Sequence, residues 1–440
     1  MSNTFTTSLN LPAQAAAETE ATILKWHISE GDVFEQGQLL AEAESAKSTF
    51  EFEAPCDGKV SRLLFNEGET ASFEEPVIEI ETSDESVKKF QTAEAARPPV
   101  EQEQAPIPVS HTSSSVPVQE ICIKGIGGYL PKRVVDNKEL LEHFDDISDE
   151  YVYGVTGIRE RRWGAPDEKP SDMALAAANE ALKKANLGPD DVGGIIVATT
   201  TPDYAMPSTA CVLQQKLAIS KAVPSFDLNA ACSGWLYGIS VAKGLIASGV
   251  ADNLLVVAVD IQSRLLEPGD RATYFLFGDG AGAAVIASGK NGHRVGEQIL
   301  AADAKGINQA CRLFPGYEVP ANCTDADPWI RLDGRALFRF ATESFSFIIR
   351  QVIEKSGWQP RDVRWVVPHQ ANGRILKAAA KKSGVPFDRF FLNIDHVGNT
   401  SAASIPLALI EIEKYLSKGD KLVFCSVGAG ITYAALAVEW

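Results

Sequence analysis

Residues 226–247, FDLNAACSGWLYGISVAKGLIA, decide the reading of this 440-residue chain. Residues 226–231 (FDLNAA) are strand-like, and the segment from Ser233 onward (SGWLYGISVAKGLIA) is helix-like. Cys232 stands at the junction. A thiol at a helix N-terminus meets unpaired amides and the positive end of the macrodipole, which lower its pKa and raise its thiolate fraction. The competing reading is a small buried hydrophobe, which is what most cysteines are.

Outward from this junction the same alternation continues from residue 121 to 440. Residues 194–200 (GIIVATT), 254–260 (LLVVAVD) and 363–368 (VRWVVP) read as buried strands, and 171–185 and 402–416 as helices with one apolar stripe. This is an α/β arrangement long enough for two packed halves around one site. Pro368-His369-Gln370-Ala371-Asn372 follows a strand, which places His369 where active sites of α/β folds collect. Gly398-Asn399-Thr400-Ser401 opens a helix and leaves Asn399 in a loop. Histidine and asparagine can donate hydrogen bonds to a developing enolate oxygen. Taken singly, His369 also fits a structural histidine and Asn399 a helix cap. Residues 277–282 (FGDGAG) precede an apolar strand rather than a helix, so they predict a tight turn in the core and not a phosphate loop.

The N-terminal part differs. Residues 5–82 read as short strands separated by Glu-Gly turns, and they contain an internal repeat. Residues 28–45 (ISEGDVFEQGQLLAEAES) align without gaps on 65–82 (FNEGETASFEEPVIEIET), which predicts a small β-sandwich with two-fold quasi-symmetry. Between the halves, Glu44-Ser45-Ala46-Lys47-Ser48-Thr49 precedes the alternating Phe50-Glu51-Phe52-Glu53, so Lys47 belongs at a hairpin tip. Residues 83–117, rich in Ser, Glu, Gln, Ala and Pro, read as a flexible linker between a domain at 1–82 and one at 118–440 with halves near 118–290 and 291–440. Of the net charge of −17, residues 1–118 carry −14, with 21 acidic against 7 basic side chains. This argues against nucleic-acid binding, which needs a concentrated positive surface. Seven cysteines without a C-x-x-C pair suggest neither a disulfide framework nor a zinc site, and no metal is expected. No secretory signal or membrane-length apolar run is visible, so the cytoplasm is the expected compartment.

Six segments, 156–161 (TGIRER), 207–211 (PSTAC), 229–234 (NAACSG), 277–282 (FGDGAG), 368–372 (PHQAN) and 398–404 (GNTSAAS), occur in the order they have in one family. Over residues 120–440 the chain resembles the β-ketoacyl-acyl-carrier-protein synthase III family of the thiolase fold, a layered αβαβα arrangement. The resemblance implies a homodimeric enzyme of fatty-acid or polyketide type acting on acyl-carrier-protein or coenzyme A thioesters. It implies that Cys232 carries the acyl group, and that His369 and Asn399 promote decarboxylation of a malonyl thioester and hold the enolate. The amides of Cys232 and Ala429 would form the oxyanion hole, with Ala429 where the family usually has glycine. Met206 would reach across the dimer interface to floor the partner's acyl pocket. Tyr151 stands where coenzyme A-binding relatives have a stacking tryptophan, Val155 where they often have arginine, and Arg271 keeps a third position of that surface. Valine offers no charge to a phosphate, which turns the expected acyl donor away from coenzyme A.

Residues 5–82 resemble a lipoyl or biotinyl carrier domain, through Lys25-Trp26, Glu30-Gly31-Asp32, the 44–49 turn and 54–60 (APCDGKV). The residues around Lys47 fit a lipoyl acceptor better than a biotin acceptor, which implies a lipoyl-attaching enzyme as a partner. A tethered arm raises the effective concentration of its cargo. The expectation is an S-acyl-dihydrolipoyl thioester on Lys47 that acylates Cys232. Two other readings stand beside this one: a cysteine-dependent acyltransferase without decarboxylation, and a lipoyl-bearing scaffold docking on a 2-oxo-acid dehydrogenase assembly.

Overall fold

In a computed structural model of the chain, residues 4–12, 20–45, 49–73, 75–84, 87, 120–312 and 327–440 are described. The chain divides into two compact units, Met1–Ala105 and Pro106–Trp440. The expected linker lies largely outside the described residues, as does Lys47.

The first unit holds eight strands: β1 (Phe5–Asn10), β2 (Glu20–Trp26), β3 (Val33–Phe34), β4 (Leu39–Ser45), β5 (Thr49–Glu53), β6 (Gly58–Leu63), β7 (Thr70–Ser72) and β8 (Pro76–Thr82). They form two four-stranded antiparallel sheets, ordered β1-β8-β6-β3 and β5-β4-β2-β7. The repeat read from sequence is visible in this arrangement. β4 (LLAEAES) and β8 (PVIEIET) bury the same positions in the same order, one in each sheet. Their inward residues Leu40, Ala41, Ala43, Val77, Ile78 and Ile80 meet in one shared core. Quasi-symmetry thus gives each sheet an equivalent apolar face to bury against the other. β4 and β5 pair with Glu44 opposite Thr49, so Lys47 falls in sequence between two paired strands.

The second unit is built on a nine-stranded sheet. Its strands are β9 (Ile121–Tyr129), β12 (Ile195–Ala198), β13 (Ser225–Leu228), β14 (Asn253–Asp260), β15 (Gly280–Ser288), β16 (His293–Ala302), β19 (Val363–Pro368), β20 (Lys421–Gly428) and β21 (Thr432–Glu439). Two short pairs lie apart, β10 (Arg133–Asp136) with β11 (Glu160–Trp163), and β17 (Ala310–Arg312) with β18 (Ile330–Leu332). The order β13-β12-β14-β15-β9-β16-β21-β20-β19 mirrors itself about β9 and β16, with parallel strands at both outer ends. The helices are α1 (Asn137–Leu141), α2 (Asp149–Thr156), α3 (Pro170–Ala185), α4 (Thr209–Lys216), α5 (Gly234–Ala247), α6 (Gly334–Lys355), α7 (Gly373–Ser383), α8 (Ile394–Val397) and α9 (Ser404–Ile412).

Successive residues of β14 face opposite layers. Leu254, Val256 and Ala258 join a central core with Trp235 and Ile239 of α5 and Ile405 and Leu409 of α9, and that core also takes Leu422 and Phe424 of β20. Leu255, Val257 and Val259 face α3 instead, against Ala177 and Ala181. On the other half, Val423 and Cys425 of β20 face Phe345 and Ile348 of α6. Helices α5 and α9 therefore lie between the two halves of the sheet, with α3 and α6 outside. Burial on both faces is why these strands read as continuous apolar runs.

The reading of residues 277–282 as a tight turn is corrected in part. β15 already begins at Gly280, and a Cβ on Gly282 would stand 2.4 Å from Cγ of Pro406 in α9. The glycine there serves close approach of a helix to a strand.

Candidate active site

The strand-to-helix junction around Cys232 is tighter than a plain helix start. β13 ends at Leu228, a 3-10 turn spans Ala231–Ser233, and α5 begins at Gly234. Ala231 is held at φ 46°, in the left-handed region that non-glycine residues rarely occupy, and its amide donates to Asn229 Oδ1 at 3.1 Å. This elbow turns Cys232 into the site. Ser426 on β20 donates to the Cys232 carbonyl at 2.9 Å, and Thr432 on β21 donates to the Ala230 carbonyl at 2.9 Å, so the second half of the sheet clamps the elbow of the first. A Cβ on Gly428 would lie 2.7 Å from the Cys232 amide nitrogen. The Gly428-Ala429 segment thus runs directly against the backbone of Cys232, and the Thr432 hydroxyl also reaches the Ala429 carbonyl at 3.3 Å.

His369 lies just past β19 and is buried. Its Nδ1 sits 3.1 Å from Ser404 Oγ at the start of α9. Burial pushes the imidazole down to about 3, against a hydrogen bond to the Ser401 backbone that acts the other way. The ring is therefore neutral at physiological pH. Asn399 is held in a short parallel bridge with Phe277: its amide donates to the Leu276 carbonyl, and its own carbonyl accepts from Gly278. Asn399 Nδ2 reaches the Ala371 carbonyl at 3.4 Å and Oδ1 accepts from the Ser401 amide at 2.9 Å. Asn399 is therefore not the cap of a helix: Thr400 precedes the 3-10 turn (Ser401–Ala403) that leads into α9, and the Asn399 side chain bonds into that turn from one residue before.

Ser401 links the three segments. Its hydroxyl lies 3.7 Å from Cys232 Sγ, its amide donates to Asn399, and its backbone contacts His369. It is held at φ 52°. The thiol of Cys232 keeps a little exposure at the surface, but protein surrounds it on most sides, and this burial pushes it up to about 12, only partly opposed by Ser401. Desolvation therefore outweighs the lowering expected from the helix start, and the resting group is a thiol.

Ser401, Ser404, Ser426 and Thr432 were not singled out from sequence, although the first two lie within GNTSAAS. Hydroxyls at these places show no periodicity and gain meaning only once the segments meet. Arg161 of TGIRER is also structural: fully buried, it donates to Asn137 Oδ1 and to the carbonyls of Val135 and Phe275, and a Cβ on Gly398 would stand 2.9 Å from its own Cβ. It braces the backbone behind Asn399.

The other expected residues lie elsewhere. Tyr151 is half-exposed on α2, its amide donating to Ser148 Oγ. The Val155 carbonyl accepts from Asn372 Nδ2 at 3.0 Å, which ties α2 to the loop carrying His369. Arg271 is exposed and paired with Asp146 at 2.6 Å. Met206 is 84% exposed on the loop before α4. Lys47 lies outside the described residues.

A cysteine that shares Ser401 with a buried neutral histidine and an asparagine, at the seam of a sheet with mirrored halves, fits an acyltransferase site of thiolase type. The family model for 3-oxoacyl-[acyl-carrier-protein] synthase III matches residues 226–304, and that for its C-terminal part matches 353–440. The chain is 38% identical over 323 residues to β-ketoacyl-[acyl-carrier-protein] synthase III of Caldanaerobacter subterraneus, covering 72% of this chain and 97% of that one. It is 40% identical over 325 residues to synthase III 3 of Streptomyces coelicolor, with 72% and 96% covered. The crystal structure of the synthase III from Aquifex aeolicus superposes with TM-score 0.67 at 40% identity, covering 73% of this chain and all of that one. A priming β-ketosynthase of the R1128 polyketide pathway gives TM-score 0.67 at 31% identity, with 74% and 98% covered. The chain belongs to the β-ketoacyl-acyl-carrier-protein synthase III family, and is an acyl-condensing enzyme. A model for the biotin and lipoyl attachment domain of biotin-requiring enzymes matches residues 7–80. The first unit is a domain of that class. No helix among the described residues is long and apolar enough to cross a membrane.

Proposed function

We propose that Cys232 accepts an acyl group as a thioester and condenses it with the enolate formed when a malonyl-type thioester loses carbon dioxide. The observation that carries this reading is the meeting of the Cys232, His369 and Asn399 segments on Ser401. In the tautomer this role requires, Nδ1 accepts from the Ser404 hydroxyl, so that the His369 proton is carried on Nε2 and can be donated to the substrate. A neutral histidine and the Asn399 amide then donate to the malonyl thioester carbonyl, and their hydrogen bonds strengthen as negative charge collects on that oxygen during decarboxylation. The enolate carbon attacks the acyl carbonyl on Cys232, whose oxyanion meets the amides of Cys232 and Ala429. The tetrahedral adduct collapses to the 3-oxoacyl thioester as the carbon–sulfur bond to Cys232 breaks, and the departing thiolate takes one proton from solvent to regenerate the thiol. Low basicity suits His369 here, because a protonated imidazole would give its proton away instead of holding the enolate.

The acyl and malonyl substrates are thioesters of coenzyme A or an acyl carrier protein. Arg271 is engaged with Asp146, and Val155 supplies only a backbone carbonyl to Asn372, so this face offers little charge to a nucleotide phosphate. The N-terminal domain supplies a second route. Lys47 falls in sequence between two paired strands of a carrier-type domain, a position that fits an amide-linked lipoyl or biotinyl group, and its sequence neighbours favour lipoyl. A lipoyl group, when attached, supplies a dithiol that can carry an acyl group as a thioester. Cys232 would receive its acyl group from that arm, in an enzyme that works as a homodimer with Met206 at the partner's pocket.

Carbon dioxide release from a malonyl-acyl-carrier thioester tests the condensation. His369→Ala and Asn399→Ala lower it about 10²–10³-fold, as for loss of an oxyanion donor, and leave acylation of Cys232 measurable by intact mass. Acyl transfer from Cys232 to an alcohol, amine or thiol without carbon dioxide release would instead establish the simple acyltransferase.

A further inference from the structure

Asp260 ends β14 beside the nucleophile, and its carboxylate is fully buried. Oδ1 accepts from the Thr200 amide at 2.7 Å and from the hydroxyls of Thr200, Thr201 and Thr199 at 2.9, 3.2 and 3.3 Å. Oδ2 is equally buried and has no partner in hydrogen-bond geometry. An unpartnered carboxylate oxygen in the interior costs free energy and calls for a reason.

The reason lies on its open side. The Ser401 hydroxyl is close enough to Asp260 to draw its pKa down, while its in-line contact is with Cys232 Sγ at 3.7 Å. Asp260 in turn raises the pKa of Cys232 through space. A hydroxyl with one proton and two lone pairs therefore sits between a thiol and a carboxylate, held there by a left-handed backbone at φ 52°. The site needs such an acceptor, since the resting cysteine is a thiol and His369 is too weak a base to take its proton.

We propose that Asp260, acting through Ser401, takes the proton of Cys232 as the cysteine is acylated. This rests on the reading of Cys232 as the acyl carrier. As Sγ forms its bond to the thioester carbonyl carbon, the S–H proton passes to Ser401 Oγ and the serine proton passes to Asp260 Oδ2. The tetrahedral adduct then collapses, and the departing sulfur leaves with the electron pair of the broken carbon–sulfur bond. The proton returns through Ser401 to that sulfur as a free thiol. Nothing is oxidised or reduced, and Asp260 ends ionised as it began. Burial raises the pKa of Asp260, which makes it the stronger base for this task.

The ionisable group facing Asp260 is Cys232, from the turn before α5. The end of β12 presents Thr199, Thr200 and Thr201, and the turn before α9 presents Ser401. His369, Cys425, Arg161 and Asp279 are further buried ionisable groups among the described residues of this unit. Asp279, raised to about 6 by burial, is held by Ser263 and the Gly164 amide.

The test is single-turnover acylation of the full chain by an acyl N-acetylcysteamine thioester, read by intact mass over roughly pH 5–10. Asp260→Asn and Ser401→Ala are each expected to slow acylation about 10²–10⁴-fold near neutrality. Their rates should also climb with pH throughout, because the thiolate must now form beforehand, whereas the unaltered chain levels off above the Asp260 titration. Ser401→Ala leaves the threonine contacts of Asp260 in place, so it decides the matter even where Asp260→Asn fails to fold. A Ser401→Ala rate that is unchanged, or lowered by one factor at every pH, overturns the relay. An unaltered chain that gains no mass at Cys232 overturns the relay together with the acyl-enzyme reading beneath it.

Discussion

Cys232 gains its setting from residues far away in sequence: Ser426 and Thr432 hold its backbone, and Ser401 touches its sulfur. Position at a helix start singles out Cys232 and predicts a lowered pKa, but the sign of the shift is set by burial, which depends on that assembled surround. Gly428 can be tested at this scale. Gly428→Ala would press a methyl group against the Cys232 amide, now 2.7 Å from an ideal Cβ, and so displace the proposed oxyanion hole. The expected result is a kcat loss of about 10²–10³-fold with the Kd for thioester little changed, measured by steady-state and binding assays. A second residue carries a pH dependence. His396 lies between Asp395 at 2.8 Å and Glu411 at 3.2 Å, which lift it to about 10. Because the folded value is raised, its stabilisation is complete below the ordinary histidine pKa and is lost as pH rises through about 10. The group is half-exposed, so the effect is small. The urea midpoint of His396→Gln should trail the unaltered chain most near about pH 6 and meet it above the folded pKa.

At the scale of elements, the strand at 254–260 was legible because both of its faces are covered, which leaves a long apolar run. The edge strand at 363–368 exposes Arg364 and is covered on both faces only from Val366 onward. The helix expected over 402–416 resolves into α9 over Ser404–Ile412 with a 3-10 turn at each end. Its apolar stripe extends into the turns because Ala402, Ala403 and Leu416 also pack on the central core. Periodicity reports burial, and burial continued past the α-helical hydrogen bonds. Gly280 and Gly282 misled for a related reason: glycine marks turns and close packing alike, and only the partner helix tells them apart. Gly282→Val should wedge α9 away from β15 and cost about 1–3 kcal/mol, seen as a lowered Tm. A melting temperature equal to that of the unaltered protein would refute this packing role.

For the whole molecule, two units of different class share one chain, and most of the negative charge lies on the smaller. The two-sheet architecture of the smaller unit was legible in the amino-acid sequence through its internal repeat and its Glu-Gly turns, and its carrier class through the resemblance carried by Lys25-Trp26, the 44–49 turn and residues 54–60. The pairing of mirrored halves in the larger unit was less so, since its strands are distant in sequence and joined by helices. If the carrier domain supplies Cys232, Lys47→Arg should lower turnover with an arm-borne acyl group, yet leave turnover with a free acyl thioester unchanged. Comparing the two donors on the full chain checks this. The most direct test of the central claim is mass spectrometry of the Cys232 peptide, first after an acyl thioester and then after a malonyl thioester. The account predicts an acyl mass gain at Cys232 that disappears in the second step, with one carbon dioxide released per acyl group lost. No gain at Cys232, or a gain that disappears without carbon dioxide, would contradict it.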